Sequence, residues 1–164
     1  MGLSVEIAKI DEQPFIYMLL QSYLRELAEF EDIPRNESGE YEYQYLKYYW
    51  TENTRWPYLF YFDGKIAGFA LVRLENETFM MAEFTVFMEY RGYGFGLVFA
   101  DELIQKHPGK WNIEYDINNA AANDFWNKLV KSIKVSHLKK EKEGNCSDGE
   151  RYSIVLNFRL HFRT

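Results

Sequence analysis

The segment from Met80 to Lys106 constrains the fold more than any other part of the chain. A β-rich apolar run, MMAEFTVFM (80–88), passes through EYRGYGFG (89–96) directly into the helical stretch LVFADELIQK (97–106). A strand ending in a short glycine-rich turn that opens a helix aims successive backbone N–H groups from the positive end of the helix dipole, a geometry that holds anions. Gly94 and Gly96 remove side chains where a phosphate chain would approach the backbone, and Arg91 adds a positive charge. Two familiar phosphate motifs do not fit. No Lys-Ser/Thr pair follows the last glycine, as a P-loop requires. Gly92, Gly94 and Gly96 are spaced G-x-G-x-G without a preceding parallel βαβ unit, which disfavours a dinucleotide.

The elements around this junction follow from periodicity. Ser4 to Ile10 reads as a first strand, and Pro14 to Phe30 as a helix, with Phe15, Met18, Leu19, Leu24 and Leu27 at helical spacing. After the loop EDIPRNESGE, Tyr41 to Glu52 (YEYQYLKYYWTE) reads as a second, aromatic helix. YLFYF and KIAGFALVRL flank Asp63-Gly64, a hairpin signal. His107-Pro108-Gly109 stops the central helix, and WNIEYDI alternates as a strand with Trp111, Ile113, Tyr115 and Ile117 on one face. Asn118 or Asn119 caps a further helix with Ala122, Phe125, Trp126, Leu129 and Val130 on one side. Strands at Ile133 to Leu138 and Tyr152 to Phe162 flank the polar loop KKEKEGNCSDGE. The predicted order is β-α-α-β-β-β-α-β-α-β-β, an α/β (α+β) arrangement in one domain spanning residues 1–164.

Composition narrows the function classes. The 164 residues are 47% hydrophobic and 27% charged, an ordinary globular balance. The net charge of −6 argues against nucleic-acid binding, which draws on phosphate neutralisation by Lys and Arg. Residues 1–64 hold twelve acids and five bases (−7), and the remainder thirteen acids and fourteen bases (+1). No stretch approaches the roughly 18 apolar residues of a membrane helix, so no membrane partner and a cytoplasmic location are expected. One cysteine, Cys146, and three scattered histidines (His107, His137, His161) lack metal-ligand spacing. A metal is not expected. A final strand as long as YSIVLNFRLHF offers an edge to a second copy, so a homodimer is a further expectation.

At the glycine junction the sequence resembles the GNAT superfamily of acyl-CoA-dependent N-acetyltransferases. That family carries Arg/Gln-x-x-Gly-x-Gly/Ala, met here by Arg91, Gly94 and Gly96. Val86-Phe87-Met88-Glu89-Tyr90 stands in place of V-x-P-E-Y and departs at Met88. A second signature, Asn-x-x-Ala-x-x-Phe-Tyr, is matched by Asn119, Ala122 and Phe125, with Trp126 where tyrosine is usual. The close resemblance covers residues 80–132.

The resemblance implies a mixed, twisted six- to seven-stranded sheet flanked by helices, with acetyl-CoA as cosubstrate between splayed fourth and fifth strands. It implies that backbone groups of Phe84, Thr85 and Val86 pair with the pantetheine arm. Arg91, Gly92, Tyr93, Gly94, Phe95 and Gly96 would cradle the pyrophosphate, and Asn119, Phe125 and Trp126 would border the far wall. An amine then attacks the thioester directly, without a metal. Glu83, just before the pantetheine-pairing stretch, is the candidate base. Trp126 cannot serve as the acid that the family's tyrosine supplies, which leaves Tyr115 or water to protonate the thiolate. Glu114 and Asp116 face away from Tyr115 by alternation, so one of these two faces lines the cleft.

The family's acceptor site is built by the first helices and their loop. Here that region holds Glu26, Glu29, Glu31, Asp32, Tyr41, Tyr43 and Tyr45, which suit a cationic amine: a polyamine, an aminoglycoside-like amine or a basic peptide. The competing readings are an acyl-CoA sensor with little turnover, motivated by Trp126, and a protein-interaction domain.

Overall fold

A computed structural model describes residues 2–133, 137–146 and 149–158. Ten regular elements follow in the order β1 (Leu3–Ile7), α1 (Gln13–Leu27), β2 (Arg55–Phe62), β3 (Lys65–Glu75), β4 (Thr78–Val86), α2 (Phe95–Lys106), β5 (Gly109–Asp116), α3 (Ala120–Ser132), β6 (His137–Cys146) and β7 (Gly149–Phe158). The seven strands form one sheet in the order β1-β2-β3-β4-β5-β7-β6. Every neighbouring pair is antiparallel except β4 and β5. No helix among the described residues is long and apolar enough to cross a membrane.

Each face of the sheet carries its own core, as period-two alternation requires. On one face Ile16, Leu20 and Leu24 of α1, spaced four apart, pack with Leu59, Phe69 and Leu71. On the other, α2 and α3 cover Phe60, Val72, Trp111 and Ile113 through Phe99, Leu103 and Leu129.

Three expectations are corrected. Tyr41 to Glu52 is not a helix: it is an irregular segment with one 3-10 turn at Leu46–Tyr49. The buried residues Tyr41, Leu46 and Tyr49 sit at spacings of five and three, and the Gln21 side chain takes both backbone groups of Tyr41, donating to its oxygen at 2.8 Å and accepting from its nitrogen at 2.9 Å. With those groups satisfied from outside, and with aromatic residues of modest helix propensity, tertiary contacts override the local pattern. The predicted order therefore loses its second helix.

The polar stretch 139–146 is not a loop, because it belongs to β6, which runs to Cys146 and pairs with β7 from His137 onward. Residues 134–136 of the strand expected at Ile133–Leu138, and residues 159–162 of the last expected strand, lie outside the described residues. The final strand, β7, lies inside the sheet between β5 and β6, so it is not the free edge on which the homodimer expectation rested.

Candidate active site

The strands that flank the glycine turn part company. β4 and β5 pair in parallel through Thr78–Lys110, Phe79–Trp111 and Met80–Asn112, and no further. Beyond Met80, β4 continues to Val86 and β5 to Asp116 without pairing to each other. The register of β3 on β4 slips at this point: Val72 faces Met81 and Leu71 faces Glu83, leaving Ala82 as an extra, bulged residue. A bulge re-aims the side chains beyond it and sharpens the twist, which opens the gap.

Glu83 stands on the α1 face of that unpaired stretch, across from Leu71 of the core beneath α1. The Tyr43 hydroxyl donates to its Oε1 at 3.2 Å, and the Tyr23 hydroxyl from α1 reaches the same carboxylate. Burial pushes the Glu83 carboxyl up to about 7, against the two phenols and Arg151, which lower it; Glu31 adds to the rise. The phenols respond in kind. Burial first, then the Glu83 charge, raises Tyr23 and Tyr43 well above the ordinary tyrosine value. Arg151 Nη1 holds Glu31 Oε1 at 2.8 Å, and its Nε lies 4.0 Å from Glu114 Oε2.

This resolves the alternation left open by the sequence. Glu114 shares the Glu83 side, whereas Tyr115 lies on the opposite face, where its hydroxyl donates to Asn123 Oδ1 of α3 at 2.9 Å. Glu83 and Tyr115 therefore stand on opposite sides of the gap. Of the acidic, tyrosine-rich residues expected at the acceptor side, Glu31 and Tyr43 surround Glu83. Tyr41 is buried and accepts from Arg35 at 2.8 Å, Tyr45 lies out by Arg55, and Glu26 is paired with Arg91. Tyr23 and Arg151 escaped the sequence reading. Tyr23 sits one position off the buried Leu20–Leu24 stripe, a place where a hydroxyl reaches the edge of the core.

Past β4 a single 3-10 turn, Met88–Tyr90, leads into the glycines. Gly92 and Gly94 both adopt left-handed backbone, with φ of 86° and 82°, and a Cβ at either would meet no atom within 4 Å. Gly94 caps α2, so the amides of its first turn have no intrahelical acceptor. The Tyr93 ring stacks on Phe95 with centroids 5.5 Å apart. Arg91 turns back: its Nε donates to the Val86 oxygen at 2.7 Å and its Nη2 meets Glu26 Oε2 at 2.9 Å.

The sequence gives Gly96 a phosphate-clearing role, yet its closest neighbour is a side chain: a Cβ there would lie 2.8 Å from Phe125 Cε2. Phe125 and Trp126 in turn bracket Phe84, with centroids 5.4 and 5.2 Å away. Trp126 is buried in this cluster, and Thr85 is buried on the other face. Asn119 is the N-cap of α3, its Oδ1 accepting from the Ala122 amide at 3.1 Å. The asparagine and alanine of the second signature are thus a capping pair.

The open, left-handed glycine turn at a helix N-terminus, next to an unpaired strand edge, fits a pyrophosphate followed by an extended amide-bearing arm. Among the described residues no group of His, Cys, Asp or Glu is arranged to hold a metal ion.

A model of the acetyltransferase (GNAT) family matches residues 18–130, more than two thirds of the chain. A comparison with curated proteins found no match. Solved structures show the same fold at low identity. One is a Salmonella typhimurium acetyl transferase that modifies the N-terminal serine of ribosomal protein L7/L12, with TM-score 0.68, 13% identity, and 98% of this chain and 96% of that one covered. A putative acetyltransferase from the same organism, solved with its cofactor acetyl-CoA, gives TM-score 0.65, 14% identity, and coverage of 100% and 98%. The Escherichia coli ribosomal-protein-S18-alanine N-acetyltransferase gives TM-score 0.57, 14% identity, and coverage of 98% and 100%. The chain belongs to the GNAT family of acetyltransferases, acyl-CoA-dependent enzymes that take acetyl-CoA as cosubstrate.

Proposed function

We propose that the chain, as a single domain, transfers acetyl from acetyl-CoA to a primary amine by direct attack on the thioester, with Glu83 as the base. One observation carries this reading. Glu83 is a carboxylate on the unpaired stretch of β4, and burial brings its proton affinity close to neutral, where a general base works best. Acetyl-CoA supplies an activated thioester carbonyl and a thiol leaving group. The free edge of β4 at Phe84, Thr85 and Val86 holds the pantetheine, and the turn from Arg91 to Gly96 holds the pyrophosphate, with Phe125 as the far wall. Fixed backbone amides on that edge polarise the carbonyl with little reorganisation.

In this reading the amine arrives on the α1 face. There Glu83 takes its proton while Tyr23 and Tyr43 keep the carboxylate oriented. Tyr115 stands across the gap and gives a proton to the departing thiolate, its hydroxyl oriented by Asn123. Glu83 itself and Glu31, whose charge reaches Glu83 although Arg151 holds it, favour a cationic amine end. Small amines and peptide N-termini both meet that requirement, and two structural neighbours that modify ribosomal proteins support the peptide class. The test is thiol release from acetyl-CoA with a panel of small amines and peptides. Amine-dependent release that Glu83→Gln lowers by tenfold or more supports the reading, and release unaffected by that substitution contradicts it.

A further inference from the structure

β2 and β3 set two arginines directly opposite each other, Arg55 in register with Arg73. Like charges facing across an antiparallel pair are unfavourable unless something negative is shared between them. The carboxylates present engage one edge of each guanidinium: Arg55 Nε meets Glu52 at 2.9 Å and Arg73 Nε meets Glu75 at 3.4 Å. In both pairs the acid is the more exposed partner, 44% and 59% against 20% and 33% for the arginines, so solvent screens it. Arg55 and Arg73 line a cavity of about 350 Å³ together with Tyr45, Thr54, Leu74 and the exposed Glu75. The rings of Tyr49 and Tyr45 hold the Arg55 guanidinium in place, with its carbon 5.4 and 5.8 Å from their centroids.

The side chain of Tyr49 is buried against the Arg55 guanidinium. It lies within the fields of Arg55, Arg73 and Glu83 together, which links the cavity to the base. The strand register gives the same link. Leu71 faces Glu83, and Arg73 is two residues further along β3 on the same face, on the order of 7 Å away. The direction is away from the glycine turn, so the cavity extends the acceptor side.

We propose that the Arg55–Arg73 pair is a subsite for a small oxyanion, a carboxylate or phosphate, carried by the acceptor on the order of 7 Å from its amine. The inference rests on the acceptor amine meeting Glu83. It narrows the substrate class from polycations to amines that carry an anionic group at their other end. Two guanidinium forks offer several N–H donors to one oxyanion, and the cavity is at the small end of ligand pockets, ~300–1,000 Å³, fitting a head group and excluding a nucleotide.

The test is calorimetric titration of the CoA-loaded protein with 5-aminopentanoate, 4-aminobutyl phosphate and pentylamine at low salt. The oxyanion-bearing amines are expected to bind at least about tenfold more tightly than pentylamine, with that ratio collapsing in Arg73→Gln and in Arg55→Gln and partly kept in Arg73→Lys. The stronger of the two oxyanion arms names the head group. Equal affinity for all three amines, or a preference that survives both glutamine variants, overturns the proposal. Because affinity ratios do not require turnover, the reading of Glu83 fails separately: arginine-dependent binding with no thiol release would contradict acetyl transfer at Glu83 and leave the subsite standing.

Discussion

Gly96 and the ring of Phe125 are in such close contact that no side chain fits between them: a Cβ on Gly96 would lie 2.8 Å from Cε2 and 3.3 Å from Cζ. The second glycine of the signature thus joins α2 to α3, and the first sets the backbone. Gly96→Ala is expected to cost about 1–3 kcal/mol through overpacking and to displace Phe125 from Phe84. Gly94→Ala strains only a left-handed residue and is expected to cost about 1 kcal/mol. Denaturant unfolding of the two variants measures both, and equal small losses would contradict the contact.

Arg91 joins the end of β4 to α1, through the Val86 oxygen at 2.7 Å and Glu26 at 2.9 Å. The ion pair is half exposed, so Glu26→Gln is expected to change stability by under about 1 kcal/mol. Arg91→Ala also removes the shorter of the two side-chain hydrogen bonds to the Val86 carbonyl, and is expected to weaken CoA binding severalfold where Glu26→Gln does not. Calorimetric titration of CoA into the two variants checks the order.

Glu83 and His107 give folding stability opposite pH slopes. The Glu83 carboxyl rises on folding to about 7, so the native state holds its proton longer than the unfolded chain, and stability falls as pH rises from about 4.5 to 7. Glu83→Gln removes that slope and is expected to raise stability above pH 7 by roughly 1–3 kcal/mol relative to wild type. Thermal unfolding at pH 5 and pH 8 reads the difference.

His107 behaves in the other sense. It is buried at the end of α2, its Nε2 2.6 Å from the Tyr58 hydroxyl and its carbonyl accepting from Trp111 Nε1 at 2.7 Å. Burial, with Lys106 adding to it, lowers its value to about 4. The unfolded chain then takes up a proton that the native state refuses, so stability is lost as pH falls from about 6.5 to 4. His107→Gln is expected to flatten the acid limb of the stability curve between those values.

Much of the fold was legible because its signals are local. The Asp63-Gly64 hairpin, the existence of α1 and the alternation through Trp111, Ile113 and Tyr115 each depend on neighbours in sequence. The buried stripe of α1 is Ile16, Leu20 and Leu24, however, and of the five apolar residues read there only Leu24 belongs to it, while Met18 is exposed. Tyr41–Glu52 misled because its positions are fixed by Gln21 and by Trp50, whose Nε1 donates to the Ala8 oxygen at 2.9 Å, contacts far away in the chain. The same limit applies to the site. Glu83 was reachable as the carboxylate on the strand that leads to the glycine turn, and the glycines from their spacing. Arg151 and Tyr23 meet Glu83 and its neighbours only through the closure of the sheet around α1, and the Arg55–Arg73 opposition exists only in the register of β2 on β3. Asn119, one of the two residues read as the cap of the last helix, does cap α3 through its side chain.

The most direct test of the account is the pH dependence of amine-driven thiol release from acetyl-CoA in wild type and in Tyr43→Phe. If Glu83 is the base, kcat/KM rises about tenfold per pH unit toward an inflection near 7 and then levels, and loss of the Tyr43 hydrogen bond moves that inflection to higher pH. An inflection unchanged by Tyr43→Phe, or a profile with none between pH 6 and 8, would contradict it.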